Sequence, residues 1–237
     1  MDRPQILEPL VNNLLARTAL TALLIGLPVV AQAAEEDVGA WSAINATAAL
    51  NNRVSLTMDT QLRFSNDVSR LGQYLIRPSV GLKVGANTTL SLGYAYFHTD
   101  PVGPAVSDEH RVWQQAAFRL AGNGNGGGLT LTGRSRLEQR WVEGSSGMGL
   151  RLRQQLRLTA PVSGKVRAVA WTEPFIAFND TQWGQRSGLD RWRNFAGLNA
   201  PLSKAVSIEP GYLNQWVNRR GADLVQHIGS VTLTAKF

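Results

Sequence analysis

Cysteine is absent from this chain, lysine occurs four times and histidine three times, and beyond Gly39 no segment carries the apolar spacing of a helix. Each lack excludes something. Without cysteine there is no disulfide framework, no thiolate nucleophile and no cysteine-based metal centre. The lysines, Lys83, Lys165, Lys204 and Lys236, are too few to account for a formal charge of +7, so the basic excess rests on arginine. Those arginines alternate with apolar residues instead of running together, and no basic tail, zinc-finger or helix-turn-helix signature accompanies them. Nucleic acid is therefore not the expected partner. His98, His110 and His227 lack ligand spacing, so neither a metal nor a cofactor is expected.

What remains is a strongly patterned chain. Arg3 and Arg17 precede an apolar run, Thr18–Val30, which leads into Ala31-Gln32-Ala33. That order of a basic region, an apolar region and a small-x-small site reads as a secretory signal over residues 1–33, cleaved after Ala33. The run is broken by Pro28 and is too short to cross a hydrocarbon layer of about 30 Å as a helix.

From Gly39 onward apolar residues recur at every second position, in segments separated by turn-forming clusters. The stretch Leu129–Leu158 shows this best. Leu129, Leu131, Leu137 and Trp141 share one parity, with Arg134, Arg136, Glu138 and Arg140 on the other. After Gly144-Ser145-Ser146-Gly147 the pattern resumes, with Leu150, Leu152, Leu156 and Leu158 opposed to Arg151, Arg153 and Arg157. Side chains alternate faces along a strand, so this hairpin has one apolar wall and one guanidinium wall. Folding back at the glycine-serine loop is expected to place Glu138 opposite Arg153.

The same division recurs along the chain, giving about eleven strands; an even number, 10 or 12, is expected for a single-chain bacterial barrel. Short connections alternate with longer ones such as Asn66–Gly72, Asp100–Asp108 and Asn179–Gly188. The expected architecture over residues 34–237 is an all-β, antiparallel meander barrel that crosses a membrane, its apolar parity toward lipid and its charged parity toward a lumen. Strand length, and aromatics such as Tyr74, Tyr96, Trp141, Trp192 and Trp216 near strand ends, agree with that orientation. The lumen is then expected to hold the carboxylates Asp59, Glu138, Glu173 and Glu209. Around them stand Arg63, Arg77, Arg111, Arg119, Arg134, Arg136, Arg140, Arg151, Arg153, Arg157, Arg167, Arg191 and Arg193.

The chain closes on Val231-Thr232-Leu233-Thr234-Ala235-Lys236-Phe237, which resembles the amphipathic, phenylalanine-terminated assembly signal of bacterial outer-membrane barrels. Trp41, Thr60-Gln61-Leu62-Arg63, Leu92-Gly93-Tyr94, the Arg134–Arg140 run, Arg151-x-Arg153 and Glu173-Pro174-Phe175 follow one another along the chain. Together they resemble a family of Gram-negative outer-membrane barrels known only as a domain of unknown function. The resemblance implies an outer-membrane location and contact with its lipid. It also implies passage through periplasmic chaperones and the barrel-assembly machinery.

Three functions remain open at this point. An arginine excess of about three to one over inward acids suits a narrow, porin-like channel for small anionic solutes. Paired charges suit a structural plug. A lipid-modifying hydrolase would need a base and a nucleophile in reach of one another. His98 stands at a strand-to-loop corner with His110 across the proline-rich loop, and His227 takes the outward parity, so an enzyme is not expected.

Overall fold

The structure is a computed structural model and describes residues 34–122 and 128–237. The proposed leader, residues 1–33, and most of the glycine-rich Gly122–Gly128 connection lie outside the described residues. Eleven strands follow one another: β1 (Glu35–Ala49), β2 (Val54–Ser65), β3 (Arg70–Lys83), β4 (Thr88–Thr99), β5 (Ser107–Ala121) and β6 (Thr130–Val142). They continue as β7 (Gly149–Ser163), β8 (Val166–Ala177), β9 (Gly188–Pro201), β10 (Val206–Val217) and β11 (Leu224–Lys236). Each pairs antiparallel with its neighbours in sequence, and β1 pairs with β11 to close a barrel.

The count of eleven stands, whereas the expected even number does not. In a meander of odd count the first and last strands point the same way, so the seam that joins them is parallel. It runs from Glu35↔Leu224 to Thr47↔Lys236. The chain thus enters the barrel at one rim and leaves it at the other.

Alternation maps onto the wall as the pleat requires. Every strand exposes at least one large apolar side chain outward, among them Ile44, Leu56, Ile76, Leu92, Val112, Trp141, Leu156, Ile176, Leu198, Tyr212 and Val231. Inward positions carry the arginines, but also two compact apolar clusters. One is Leu75, Ala95, Phe97 and Trp113; the other is Val169, Phe195, Leu213 and Ile228, with Trp41 and Trp171 against it. The guanidinium wall is therefore interleaved with rings. Gly93 makes room for one of them, because a Cβ there would stand 2.2 Å from the Trp113 ring.

Two local departures re-aim side chains. The β6–β7 register is Glu138↔Arg151, two residues from the expected Glu138↔Arg153. Its last pair is Arg140↔Gly149, while Trp141 and Val142 continue along β5 alone. In β9 the pairing with β8 slips between Phe175↔Arg191 and Ile176↔Leu189, leaving Asp190 unpaired in a bulge. The connection between β2 and β3 is also shorter than the expected Asn66–Gly72, since β3 already begins at Arg70.

Candidate functional site

The functional side chains converge from β5–β9 on the middle of the lumen. Phe175, 1% exposed, is the hub. The guanidinium carbons of Arg151, Arg153, Arg191 and Arg193 lie 5.0, 4.4, 5.6 and 4.8 Å from its ring centroid. A ring face attracts cations, so one phenylalanine brings together four like charges that would otherwise repel.

Carboxylates bind this cluster from the side. Glu138, as buried as Phe175, accepts from Arg151 Nη2 at 2.7 Å and Arg153 Nη1 at 2.9 Å, with Arg111 Nη1 at 3.7 Å. Glu173 accepts from both Nε and Nη2 of Arg153, at 3.1 and 3.0 Å, and from Arg134 at 2.7 Å. Arg153 thus bridges two buried carboxylates in the fork geometry that only guanidinium offers. Asp59 pairs with Arg77, and Glu209 with Arg157.

Two further carboxylates, not anticipated from the sequence, belong to the site. Glu109 takes both forks of Arg111, at 2.9 and 2.7 Å, and Arg140 Nε at 2.6 Å. It shares the parity of Arg111, and that was the available signal. Asp190 accepts from Arg151 at 2.7 Å and from its neighbour Arg191 at 3.2 Å. Strict alternation would turn it outward; the bulge brings two consecutive residues to one face. With these two included, arginine exceeds acid by about two to one rather than three.

Arg119 and Arg167 correct the expected list in another way. Neither joins the central cluster. Arg119 donates to Asn87 at 3.1 Å beside the β3–β4 turn, and Arg167 donates to the Gly128 and Thr159 carbonyls. Both stand at the rim of short turns.

Three buried arginines make no ion pair among the described residues. Arg136 lies 4.0 Å from the Trp113 centroid and donates Nε and Nη2 to Gln115, while its buried Nη1 has no protein partner there. Arg63 lies 4.1 Å from the Trp41 centroid and donates to Gln61 and Gln73. Arg193 lies 4.9 Å from the same ring and donates Nε to Gln215 at 2.6 Å.

The space inside the barrel follows this furniture. A vestibule of about 740 Å³ opens among the longer loops and is lined by Glu35, Glu36, Asp37, Trp41, Arg63 and Arg191, among others. A second, of about 530 Å³, lies on the side of the short turns and includes Arg77, Arg134, Arg157, Trp171, Glu209 and Lys236. Small neutral residues of β1 and β11, such as Ala43, Asn45, Ser230 and Thr232, line its other side. Between them a waist cavity of about 100 Å³ is lined by seven arginines and one carboxylate, Glu109. The β8–β9 loop packs against the β6–β7 connection at the same rim. Its Gln185 accepts from Arg140 at 2.9 Å, and Trp183 donates to the Gly147 carbonyl at 3.2 Å.

Charge also divides along the axis. The short turns, with the three strand residues flanking each and the end of β11 beside them, hold Arg53, Lys83, Arg119, Lys165, Arg167, Lys204 and Lys236, and no carboxylate among the described residues. The same zone at the other rim holds eleven carboxylates against seven arginines. Every lysine of the chain is at the first rim.

The histidines sit on the outer wall. His110 bridges Tyr94 and Glu143, with Nδ1 2.5 Å from the phenol oxygen and Nε2 2.7 Å from the carboxylate. His98 meets Asp108 at 2.7 Å and stacks on Tyr74, and His227 meets Tyr212 at 2.6 Å.

Residues 38–226 match the family model described as "Protein of unknown function (DUF2490)". A similar chain is an uncharacterized protein of Methylorubrum extorquens, 37% identical over 188 residues that span 78% of this chain and 81% of the relative. An arginine-filled barrel over almost the whole matched span, and a relative of nearly the same extent, lead to one statement of kinship: this chain belongs to the DUF2490 family.

Proposed function

We propose that this protein is an outer-membrane barrel that admits small anionic solutes through an arginine-lined lumen. The observation that carries the reading is the waist, where seven guanidinium groups and a single carboxylate border one cavity. Five of the seven also pair with carboxylates of the wall, but Arg63 and Arg193 do not, and buried cations without a carboxylate require water or an anion beside them. The apolar outer wall supports a membrane setting, because every strand exposes a large apolar side chain, Leu, Ile or Val on nine of them and Trp141 and Tyr212 on β6 and β10. Such a band suits lipid and promotes association in water. Short turns face the periplasm in barrels of this class. The seven-cation rim would then collect anions from that side, while the acidic rim repels them on the other.

The test is a planar bilayer with the refolded full chain. The expected current is anion-selective and rectifies, passing more anion when anions enter by the short-turn mouth. Absence of current at any voltage overturns the channel reading.

One observation favours a second reading. Glu138, Glu173 and Glu109 each bind two or more arginines within the wall-to-wall cluster, which is the construction of a structural plug. A barrel that passes no current and loses stability when Glu138 is neutralised supports that alternative.

A further inference from the structure

We infer that Arg63 and Arg193, both held against the Trp41 indole where they line the waist cavity, form a seat for one oxyanion group, a phosphate or a carboxylate. The inference rests on the anion reading of the lumen and gives it a location and a ligand class.

Both guanidinium carbons are within 5 Å of the Trp41 ring centroid, at 4.1 and 4.9 Å, so the indole gathers two cations into one small volume. Both side chains are more than nine-tenths buried, with 9% and 7% exposure. Both line the waist cavity, and neither has a carboxylate partner among the described residues. Trp41 itself borders both vestibules, so the seat lies where one space gives way to the other.

Their neutral partners orient them without discharging them. Gln61 accepts from Nε and Nη2 of Arg63, and Gln73 accepts from Nη1, all through amide oxygens. Gln215 accepts only the Nε of Arg193, leaving both terminal nitrogens of that side chain without a protein acceptor among the described residues. The Gln215 amide is turned in its place by donation to Gln226, which donates in turn to Asp37 at 2.9 Å. A glutamine at these points fixes direction and keeps the positive charge uncompensated. A glutamate would have neutralised it, as Glu109 does for Arg111 and Arg140.

Planar forks with free donors bind oxygen pairs of carboxylate and phosphate in bidentate fashion. A cavity of about 100 Å³ has room for such a group but not for a sugar ring with its hydration. A larger solute would therefore present its anionic group to the seat from a vestibule.

The experiment is calorimetric titration of the refolded full chain in detergent with inorganic phosphate at low chloride. Saturable binding of one phosphate is expected, weakened at least tenfold by Arg63→Gln and by Arg193→Gln and unchanged by Arg70→Gln, a rim residue paired with Asp100. No saturable binding to the parent, or equal binding to the two waist variants, overturns the seat. Should either waist variant fail to refold, selenate soaked into crystals of the parent gives the same decision. An anomalous peak beside the Trp41 ring, between the two arginines, upholds the seat, and no peak there removes it. The channel reading fails separately: a barrel that binds phosphate without conducting keeps the seat, and one that conducts without saturable binding keeps only the channel.

Discussion

Glu138 neutralises two arginines directly and faces a third, so its removal leaves buried like charges facing one another. Breaking a buried pair by deleting one partner costs about 3–5 kcal/mol. Glu138→Ala is expected to lower unfolding stability by that order in a denaturant titration followed by tryptophan fluorescence. Arg70→Gln removes a partly exposed pair with Asp100, and the same titration should register no more than about 1 kcal/mol. A parent-like midpoint for Glu138→Ala would mean that water already screens the cluster. At this scale the sequence was legible through parity. Alternation placed Asp59, Glu138, Glu173, Glu209 and eleven arginines, from Arg63 to Arg193, on the inner face. It could not show that Phe175 and Trp41 serve as shelves for those arginines, because the contacts depend on strand register, which sets Trp41 opposite Arg63 and Phe175 opposite Arg153 and Arg191, and on Arg193 reaching Trp41 from a distant strand. Nor could it show which arginines lack a carboxylate, since pairing depends on neighbours across the lumen.

Between residues and barrel, turns and bulges decide which side chains meet. The β2–β3 turn holds Asn66, Asp67 and Val68 at φ of 55°, 54° and 62°, three left-handed residues in succession. Asn and Asp accept that region readily, whereas a β-branched valine is crowded there by about 1–2 kcal/mol. Val68 is exposed, and the turn is fixed by hydrogen bonds from Val68 N to the Val38 carbonyl and from Ser69 N to that of Asn66. Val68→Asn keeps those bonds and is expected to raise the thermal midpoint, with a gain of about 1 kcal/mol. A lower midpoint would assign Val68 a packing role. The bulge at Asp190 works on the same scale. Asp190→Asn leaves the backbone slip in place and removes a charge from Arg151 and Arg191, so anion selectivity in bilayers should rise while the fold persists. Strand existence and order were readable from alternation and turn residues. The bulge and the two-residue hairpin offset were not, because register is set by pairing on both sides of a strand, and β6 follows β5 for two residues after leaving β7.

Across the whole molecule the dominant feature is polarity of charge along the axis, with all lysines at one rim and most carboxylates at the other. Lys83 and Lys236 end their strands on the inward parity, so they face the short-turn mouth. Reversing both, as Lys83→Glu with Lys236→Glu, is expected to reduce or invert the rectification of the parent, read from the current–voltage curve. An unchanged curve would place the field that matters at the waist. This polarity was present in the sequence all along, but it becomes visible only after each turn is assigned to a rim. The parallel seam between β1 and β11 has its own outcome. Because the two end strands run the same way, Glu35 and Lys236 stand at opposite rims, separated by thirteen paired positions and roughly 40 Å of strand. A few residues of linker would suffice to join the ends of an even-stranded barrel, and cutting a turn elsewhere would then rearrange the gene without disturbing the wall. Here no short linker spans the distance, so circular permutants of this barrel should fail to assemble. In the proposed membrane setting, protease-accessible epitopes placed beside the entry of β1 and the exit of β11 should report on opposite faces.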